Sequence, residues 1–411
     1  MSGRNQAVGA TEAHAPTTWL TPGVRGIGTA SLLSDLGHEV PTALLPSFLT
    51  ATLGAPASAL GLIEGISDGL AGAARLAGGA LADDPHRRRA TAVGGYAATA
   101  VLSGLIGVAT TAWQVGILRA GAWTARGLRV PARNALLADA VPAHAYGRAY
   151  GFERAMDNLG AVFGPLLALG LLALVGVRSA ILISIIPGAL AAVAVVYAIR
   201  AIPQETRRER QPIRLRVRPV LRGDLGRLLV AVSAFEIGNV TATLLILRTS
   251  ELLEPQHGTE SSTRIAVALY VGYNVAATLA SIPAGHVGDT FGKRRVFGLG
   301  VLLFLAAYLA FAVAGPSILL LGVAFVIAGI AIGCVETAEH AAVASFAPGE
   351  LRGSAFGLLA AMQSVGNLAA SAVAGLVWSL ASPRAAFLYL AAWMIVALAG
   401  LAVAVSRRAS R

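Results

Sequence analysis

The side chains able to do chemistry in this sequence sit at helical spacing inside apolar segments. Asp35, His38 and Glu39 are three and four residues apart, so on a helix they share one face. Arg119, Arg126, Arg129 and Arg133 fall within about 80° of arc at 100° per residue. Glu153 and Asp157 are one turn apart, as are Glu64 and Asp68, and Glu336, Glu339 and His340 repeat the pattern. A carboxylate in a partly desolvated cavity holds its proton more tightly, and a nearby arginine opposes this. A substrate that competes for the arginine therefore changes proton affinity. On that logic Asp35, Glu39, Glu153, Asp157 and Glu236 are proton-coupling candidates.

The arginine face offers forked donors that suit carboxylate or phosphate, unless Asp35, Glu39, Glu153 and Asp157 neutralise it. With His38 it forms one wall of an expected substrate cavity, and Glu336, Glu339, His340, Gln363 and Asn367 form the other. The acid and histidine spacing around Glu336 suits helical metal ligands, but no second histidine accompanies His340 on its helix, so no metal site is assigned. Glu64, Asp68 and Arg75 share a face and read as a gate, with Gln363 and Asn367 expected to hydrogen-bond across it. The order of residues is not H-E-x-x-H and no G-x-x-x-x-G-K-[ST] is present. Neither hydrolysis nor ATP-driven work is expected, and no cofactor.

The elements that must position these groups are membrane helices. Hydrophobic residues make up 56% of 411 and charged residues 13%, with mean hydropathy +0.70. A soluble domain carries about a quarter charged residues. Apolar segments long enough to span ~30 Å of hydrocarbon lie near 25–52, 56–82, 90–110, 113–140, 147–175 and 177–200. Six more lie near 224–252, 263–289, 295–314, 317–346, 353–381 and 384–405. Within the third and sixth spans of each half, the segments 90–110, 179–199, 296–315 and 385–405 carry no charged side chain and read as lipid-facing. A charge at the bilayer centre costs roughly 2.5–3.5 kcal/mol on insertion scales, so the charged faces of the other helices imply a central wet pathway.

The net charge of +11 concentrates at Arg87–Arg89, 200–227, 293–295 and 407–411, between or beyond the apolar segments. That is the positive-inside pattern, which places these loops and both termini in the cytoplasm and argues against nucleic acid. Membrane lipid is the expected partner of the basic linker. The stretch 251–264 reads as a polar outward loop. The lone Cys334 excludes an internal disulfide. No apolar core of signal-peptide length precedes residue 24, so the first apolar segment is expected to be retained.

The chain also repeats itself. Gly79-Ala-Leu-Ala-Asp83 with Arg87 to Arg89 returns after 206 residues as Gly285-His-Val-Gly-Asp289 with Lys293 to Arg295. The same shift lays GRAYGFERAMDNLG (147–160) on GSAFGLLAAMQSVG (353–366), and a shift of 201 lays Asp35 on Glu236. Two copies of a six-span unit follow, with an N-terminal tail at 1–24, a first bundle at 25–200, a linker at 201–223, a second bundle at 224–405 and a tail at 406–411.

This organisation resembles the major facilitator superfamily. The family's loop signature, approximately G-x-x-x-D-[RK]-x-G-[RK]-[RK], is matched by Gly285, Asp289, Gly292, Lys293 and Arg294. The first copy keeps Gly79, Asp83 and Arg87 but has Asp84-Pro85-His86 in place of Arg-x-Gly. In the family this loop is a cytoplasmic latch of the outward-open state. Gly160, Gly164 and Pro165 are similar to the fifth-helix signature of antiporters, although its final glycine pair is replaced by Ala168 and Leu169. Aligning Pro131 places the typical fourth-helix arginine at Arg119, with Trp123 where the family has glycine.

The resemblance implies an all-α membrane protein with twelve transmembrane helices in two pseudo-symmetric six-helix halves. It also implies a secondary transporter, not an enzyme. Proton-coupled export of a small organic compound by a monomer in a bacterial inner membrane is the leading expectation. The alternatives are uptake or exchange of an anionic metabolite, export of a divalent metal or its chelate, and a receptor of the same fold that moves nothing.

Overall fold

The computed structural model describes residues 18–203 and 213–409. Residues 1–17 of the expected N-terminal tail, 204–212 of the linker and 410–411 of the C-terminal tail lie outside the described residues. Helices and their turns make up the rest, and no strand occurs among the described residues. The first half holds α1 (Pro22–Ser47), α2 (Ala57–Ala82), α3 (Pro85–Leu105), α4 (Ala112–Asp139), α5 (Tyr146–Ile183) and α6 (Ile185–Ala201). After the short α7 (Val217–Val220) come α8 (Gly223–Gly238), α9 (Ala242–Phe291), α10 (Lys293–Val313), α11 (Ile318–Phe346), α12 (Arg352–Leu380) and α13 (Pro383–Ala409).

Local signals set several of these boundaries. Thr21 caps α1 by accepting from the Val24 amide at 3.3 Å, with Pro22 in the first turn. Asp84 caps α3 by accepting from the His86 amide at 2.9 Å, with Pro85 at the first helical position. The departure of the first loop from the family signature is therefore a helix cap.

The 50 residues of α9 would extend about 75 Å if unbroken, far beyond the ~30 Å hydrocarbon core. Gly258, at φ +74°, breaks the helix, and Gly176, at φ +77°, does the same in α5. Positive φ is accessible to glycine without a Cβ clash. Asp224 at the start of α8 meets Arg294 at the start of α10 at 3.5 Å, so the chain from α8 to the end of α9 crosses and returns. The sequence-based outward loop at 251–264 is corrected here: both sides of Gly258 are helical, and the polar residues extend the two spans. Helix persists on both sides of Gly258 because the stretch, apart from that glycine and Pro255, contains few strong breakers.

Among the described residues, seven helical stretches are long and apolar enough to cross a membrane. Two of them, 143–201 and 223–291, each hold two spans. The remaining three spans are α1, α2 and α4, which carry the charged faces. Twelve spans result. Exposed Ile186, Leu190, Val193 and Tyr197 recur at helical spacing along α6, and Leu299, Leu302, Leu309 and Val313 along α10. These apolar stripes suit contact with lipid.

The two halves meet along two seams that begin at the end bearing the basic loops. In one, α2 runs antiparallel to α12. A Cβ at Gly79 would stand 2.8 Å from the Gly353 carbonyl, and Arg75 donates to the Ala360 carbonyl at 3.1 Å. Gly72 still touches Ser364, whereas a Cβ added at Gly69, Gly65 or Gly61 would meet nothing within 4 Å. From Asp83 to Gly72 the seam is about 16 Å deep, roughly half the hydrocarbon, and beyond it the helices part. In the pseudo-symmetric seam, α5 meets α9 at Gly147 with Gly285 and at Gly151 with Ser281. Both seams are closed at the basic end, and the α2–α12 seam opens toward the other.

Candidate functional site

The charged residues form one connected network on the inner face of the first half, just above the closed seam. The close approach of α1 and α5 depends on two glycines. A Cβ at Gly160 would come within 2.7 Å of the Asp35 Cβ, and one at Gly164 within 2.4 Å of the Glu39 Cβ. The residues that resemble an antiporter signature thus make room for the acids of the first helix, and Pro165 lies within α5 beside them.

His38 is buried between the two acids. Its Nδ1 lies 3.0 Å from the Ser34 carbonyl and 3.2 Å from Asp35, and its Nε2 lies 2.7 Å from Arg126 Nη1. Arg126 can only donate, so Nε2 accepts and the proton sits on Nδ1. The neutral tautomer follows from these partners, and Glu39 Oε1, 3.3 Å from Nε2, is not paired with an imidazolium. Arg126 also reaches Asp35 at 3.4 Å, and the Asp157 carboxyl adjoins that of Asp35.

The other arginines of α4 find separate partners. Arg119 donates to Glu64 at 3.0 Å and to Thr42 at 3.0 Å, and its guanidinium stacks 3.4 Å from the centre of the Trp123 ring. Arg129 donates to the Ser34 hydroxyl at 2.6 Å and lies over Tyr96. Arg133 bridges Glu153 at 2.8 Å, Asp157 at 3.3 Å and the Ser31 hydroxyl at 3.0 Å. Asp35 therefore shares α4 with Glu64, which the sequence had grouped with a gate.

Two sequence-based expectations about that gate are corrected. Glu64 and Asp68 face α4 within their own half, because Arg119 and the Trp123 indole supply donors there; the indole reaches Asp68 at 2.9 Å. Of the three gate residues, Arg75 is the one that bonds across to α12. Gln363 and Asn367 bond inside the second half, Gln363 to Glu339 and Asn367 to the Asn239 carbonyl at 3.1 Å. Their donors are turned back toward α11 and α8, where buried acceptors lie.

The second half contributes acids. Glu339 is fully buried, accepts from Gln363 and keeps its second oxygen unpaired among the described residues. Glu236 accepts from Asn239 at 3.1 Å beside Gly366. His340 donates through Nδ1 to the Glu336 carbonyl at 2.7 Å and packs against Phe356 and Tyr150. Among the described residues no three of His, Cys, Asp and Glu converge at metal-ligand geometry. His38 and His340 are held in different halves by their own helices, so they do not join one cluster. Cys334 is buried and free.

Sequence reasoning missed Arg154. It bonds Glu153 at 2.8 Å and Asp157 at 3.2 Å, and approaches Glu336 of the other half at 3.8 Å. Its signal was the three-residue step to Asp157. Ser31 and Ser34, also overlooked, supply the hydroxyls that join α1 to the arginines.

The repeated loops lie at the basic end. Asp289 accepts from the amides of Gly147 at 2.7 Å and Arg148 at 3.0 Å and from Arg148 Nε at 3.2 Å, with Lys293 at 3.6 Å. This is an anion at the N-terminus of α5, where unpaired amides concentrate. Asp83 accepts from the Ser354 amide at 2.8 Å, beside the start of α12. Burial raises the Asp83 carboxyl above the usual range, opposed by the Ser354 donors, Arg216 and Arg88. Arg87 lies 3.9 Å from Asp84, and Arg294 meets Asp224. Asp139 completes the closure by joining Arg88 of its own half to Arg352 of the other.

Comparisons with known proteins agree with this architecture. An uncharacterised MFS-type transporter of Methanocaldococcus jannaschii is 26% identical over 375 residues, covering 90% of this chain and 92% of its own. The fold is similar to that of a bacterial homologue of the iron transporter ferroportin in an outward-facing state. The TM-score is 0.73 at 15% identity, over 95% of this chain and 100% of that one. A human organic anion transporter superposes with a TM-score of 0.70 at 16% identity, over 92% of this chain and 99% of that one. The family profile of the Major Facilitator Superfamily matches residues 27–252 and 229–411, one match per repeat. With twelve spans, a duplicated bundle and this match over both halves, the chain belongs to the Major Facilitator Superfamily and is a secondary transporter.

Proposed function

We propose that this transporter exports a small organic compound in exchange for protons. The observation that carries this reading is the position of Arg126, which holds Asp35 and His38 while its side chain remains 30% exposed to the cavity. A substrate accommodated only while Arg126 lies against Asp35 favours the ionised carboxylate there, and protonation of Asp35 frees Arg126 to swing into the cavity and displace that substrate. Proton and substrate then exclude one another. Each elementary charge moved down 100 mV supplies about 2.3 kcal/mol, enough for tens-fold accumulation.

Asp35, Glu39 and Asp157 carry the proton in this scheme, with Glu153 and Glu236 as further carriers, and the substrate occupies the space between α4 and α11. The basic loops and both termini are assigned to the cytoplasm of a bacterial cell membrane, which makes the closed end the inner one and the state outward-open. Asp83 and Asp289 act as its latches, and the protein works as a monomer. The domain limits 25–200 and 224–405 accompany this assignment. The outward-facing state of the ferroportin homologue, whose fold this chain resembles, supports the assignment. Exchange of an anionic metabolite, metal export and a non-transporting receptor are the alternatives.

The test begins with a stabilisation screen of drugs, organic acids, siderophores and divalent metals, since a ligand of the folded form raises its melting temperature. The ligand found is then followed in proteoliposomes. Asp35→Asn with Glu39→Gln is expected to abolish movement driven by a pH gradient and to spare downhill exchange. Gradient-driven movement at the wild-type rate in that variant rejects the proposed proton site.

A further inference from the structure

The charges around the cavity are sorted by depth. Guanidiniums form the back layer: the side chains of Arg119, Arg133 and Arg154 are 9% exposed or less, and Arg129 is buried over Tyr96. Carboxylates form the front. Glu39, Glu64, Asp157 and Glu336 keep between 21% and 33% of their side chains exposed, and Asp68 is exposed as well. Against these five acids stand Arg126 and the half-buried Arg75, and Arg75 is tied to the Ala360 carbonyl.

Most of the front acids are braced from behind. Arg119 holds Glu64, Arg133 and Arg154 hold Asp157, Arg154 approaches Glu336, and the Trp123 indole holds Asp68. Bracing fixes a carboxylate in place: both oxygens of Glu64 meet Arg119, and those of Asp157 meet Arg133 and Arg154, yet each side chain keeps its exposed fraction. Coulomb energy falls as the inverse of distance, so a charged ligand meets the carboxylate layer first. The guanidiniums behind are already in contact with their own partners.

Resting on the reading of a central substrate cavity, we propose that its substrate is an organic cation held by Glu39, Glu64, Asp157 and Glu336. These acids come from α1, α2, α5 and α11, so they surround a ligand rather than line one wall. A bare metal ion needs several ligands within one coordination sphere, and no three such groups converge among the described residues. Dispersed carboxylates suit a larger ion with spread charge. Because Glu336 belongs to the second half and Asp157 to the first, a cation between them bridges the two bodies that must move.

Tetraphenylphosphonium and tetraphenylborate have the same shape and opposite charge, and their binding to the purified protein in uncharged detergent tests the proposal. The cation is expected to bind at least about tenfold more tightly, a difference of about 1.4 kcal/mol. Glu336→Gln should weaken it roughly three- to tenfold, and Arg126→Gln should tighten it. Should Glu336→Gln lower the melting temperature, Glu39→Gln, on the cavity wall of α1, serves in its place.

Equal or tighter binding of tetraphenylborate, binding of neither ion, or cation binding indifferent to both glutamate variants overturns the assignment. No pH gradient is present in this experiment, so its failure leaves proton coupling standing. Cation binding that survives alongside a failed gradient assay rejects the coupling scheme instead.

Discussion

Arg133 and Glu339 occupy the same place in the two halves, related by the 206-residue repeat, and so do Asp157 and Gln363. Both pairs touch: Arg133 with Asp157 between α4 and α5, and Glu339 with Gln363 between α11 and α12. The repeat has kept the contact and changed its chemistry. In the first half a guanidinium faces two carboxylates, whereas in the second a buried carboxylate faces an amide. Among the second-half acids of the cavity, Glu336 is approached at 3.8 Å by Arg154, reaching over from the first half. Backbone symmetry therefore lets two bundles fit together, and its breaking in side-chain charge makes one half the cation-rich partner of the other.

The most decisive way to break this comparison is topological, because an all-or-none result is expected. The basic loops of both halves should lie on one side. Cysteines at exposed His86 and exposed Arg295 are expected to label from the same, cytoplasmic side, and one at His257 from the opposite side only. Labelling of His86 and Arg295 positions from different faces would remove the twelve-span arrangement. Arg88 and Arg294 are unsuitable sites because both are largely enclosed.

The next largest effect concerns the related pair itself. Arg133→Gln leaves Glu153 and Asp157 to share Arg154, and breaking a buried pair costs about 3–5 kcal/mol. A large fall in melting temperature is expected. At the related position, Glu339→Gln replaces a buried charge by an amide opposite Gln363, so the melting temperature should hold or rise. Equal destabilisation by the two variants would mean that the halves are not electrostatically distinct.

A smaller difference is expected between the latches. Asp289 receives two amides and a guanidinium, while Asp83 depends chiefly on Ser354 and has its charge disfavoured by burial. Hydrogen bonds to a charged group contribute about 1.5–3 kcal/mol each. Asp289→Asn should accordingly slow turnover roughly tenfold, and Asp83→Asn about twofold, in proteoliposomes loaded with the ligand from the screen. Equal turnover by the two variants removes the asymmetry.

Much of the architecture was legible because it is written in one dimension. Apolar length marked the spans, the shift of 206 marked the repeat, and helical spacing put Asp35, His38 and Glu39 on one face. The stretch 251–264 was misread because polarity there marks exposure at the end of a span, not loss of helix. Arg154 was hidden beside Glu153, although its step to Asp157 was visible. The partners of Arg119, Gln363 and Asn367 were not legible, since a face shared on one helix says nothing of which helix it meets.

The sequence by itself determined a duplicated twelve-helix bundle, the placement of its basic loops at one end and the helices that carry charge. Those properties follow from composition, periodicity and the length needed to cross hydrocarbon. Only the tertiary structure decided which acid meets which arginine, that the seam is closed at the basic end, and that arginines lie behind a front of carboxylates. Rotation and tilt of each helix about its neighbours set those distances and burials, and they arise from packing between segments far apart in the chain.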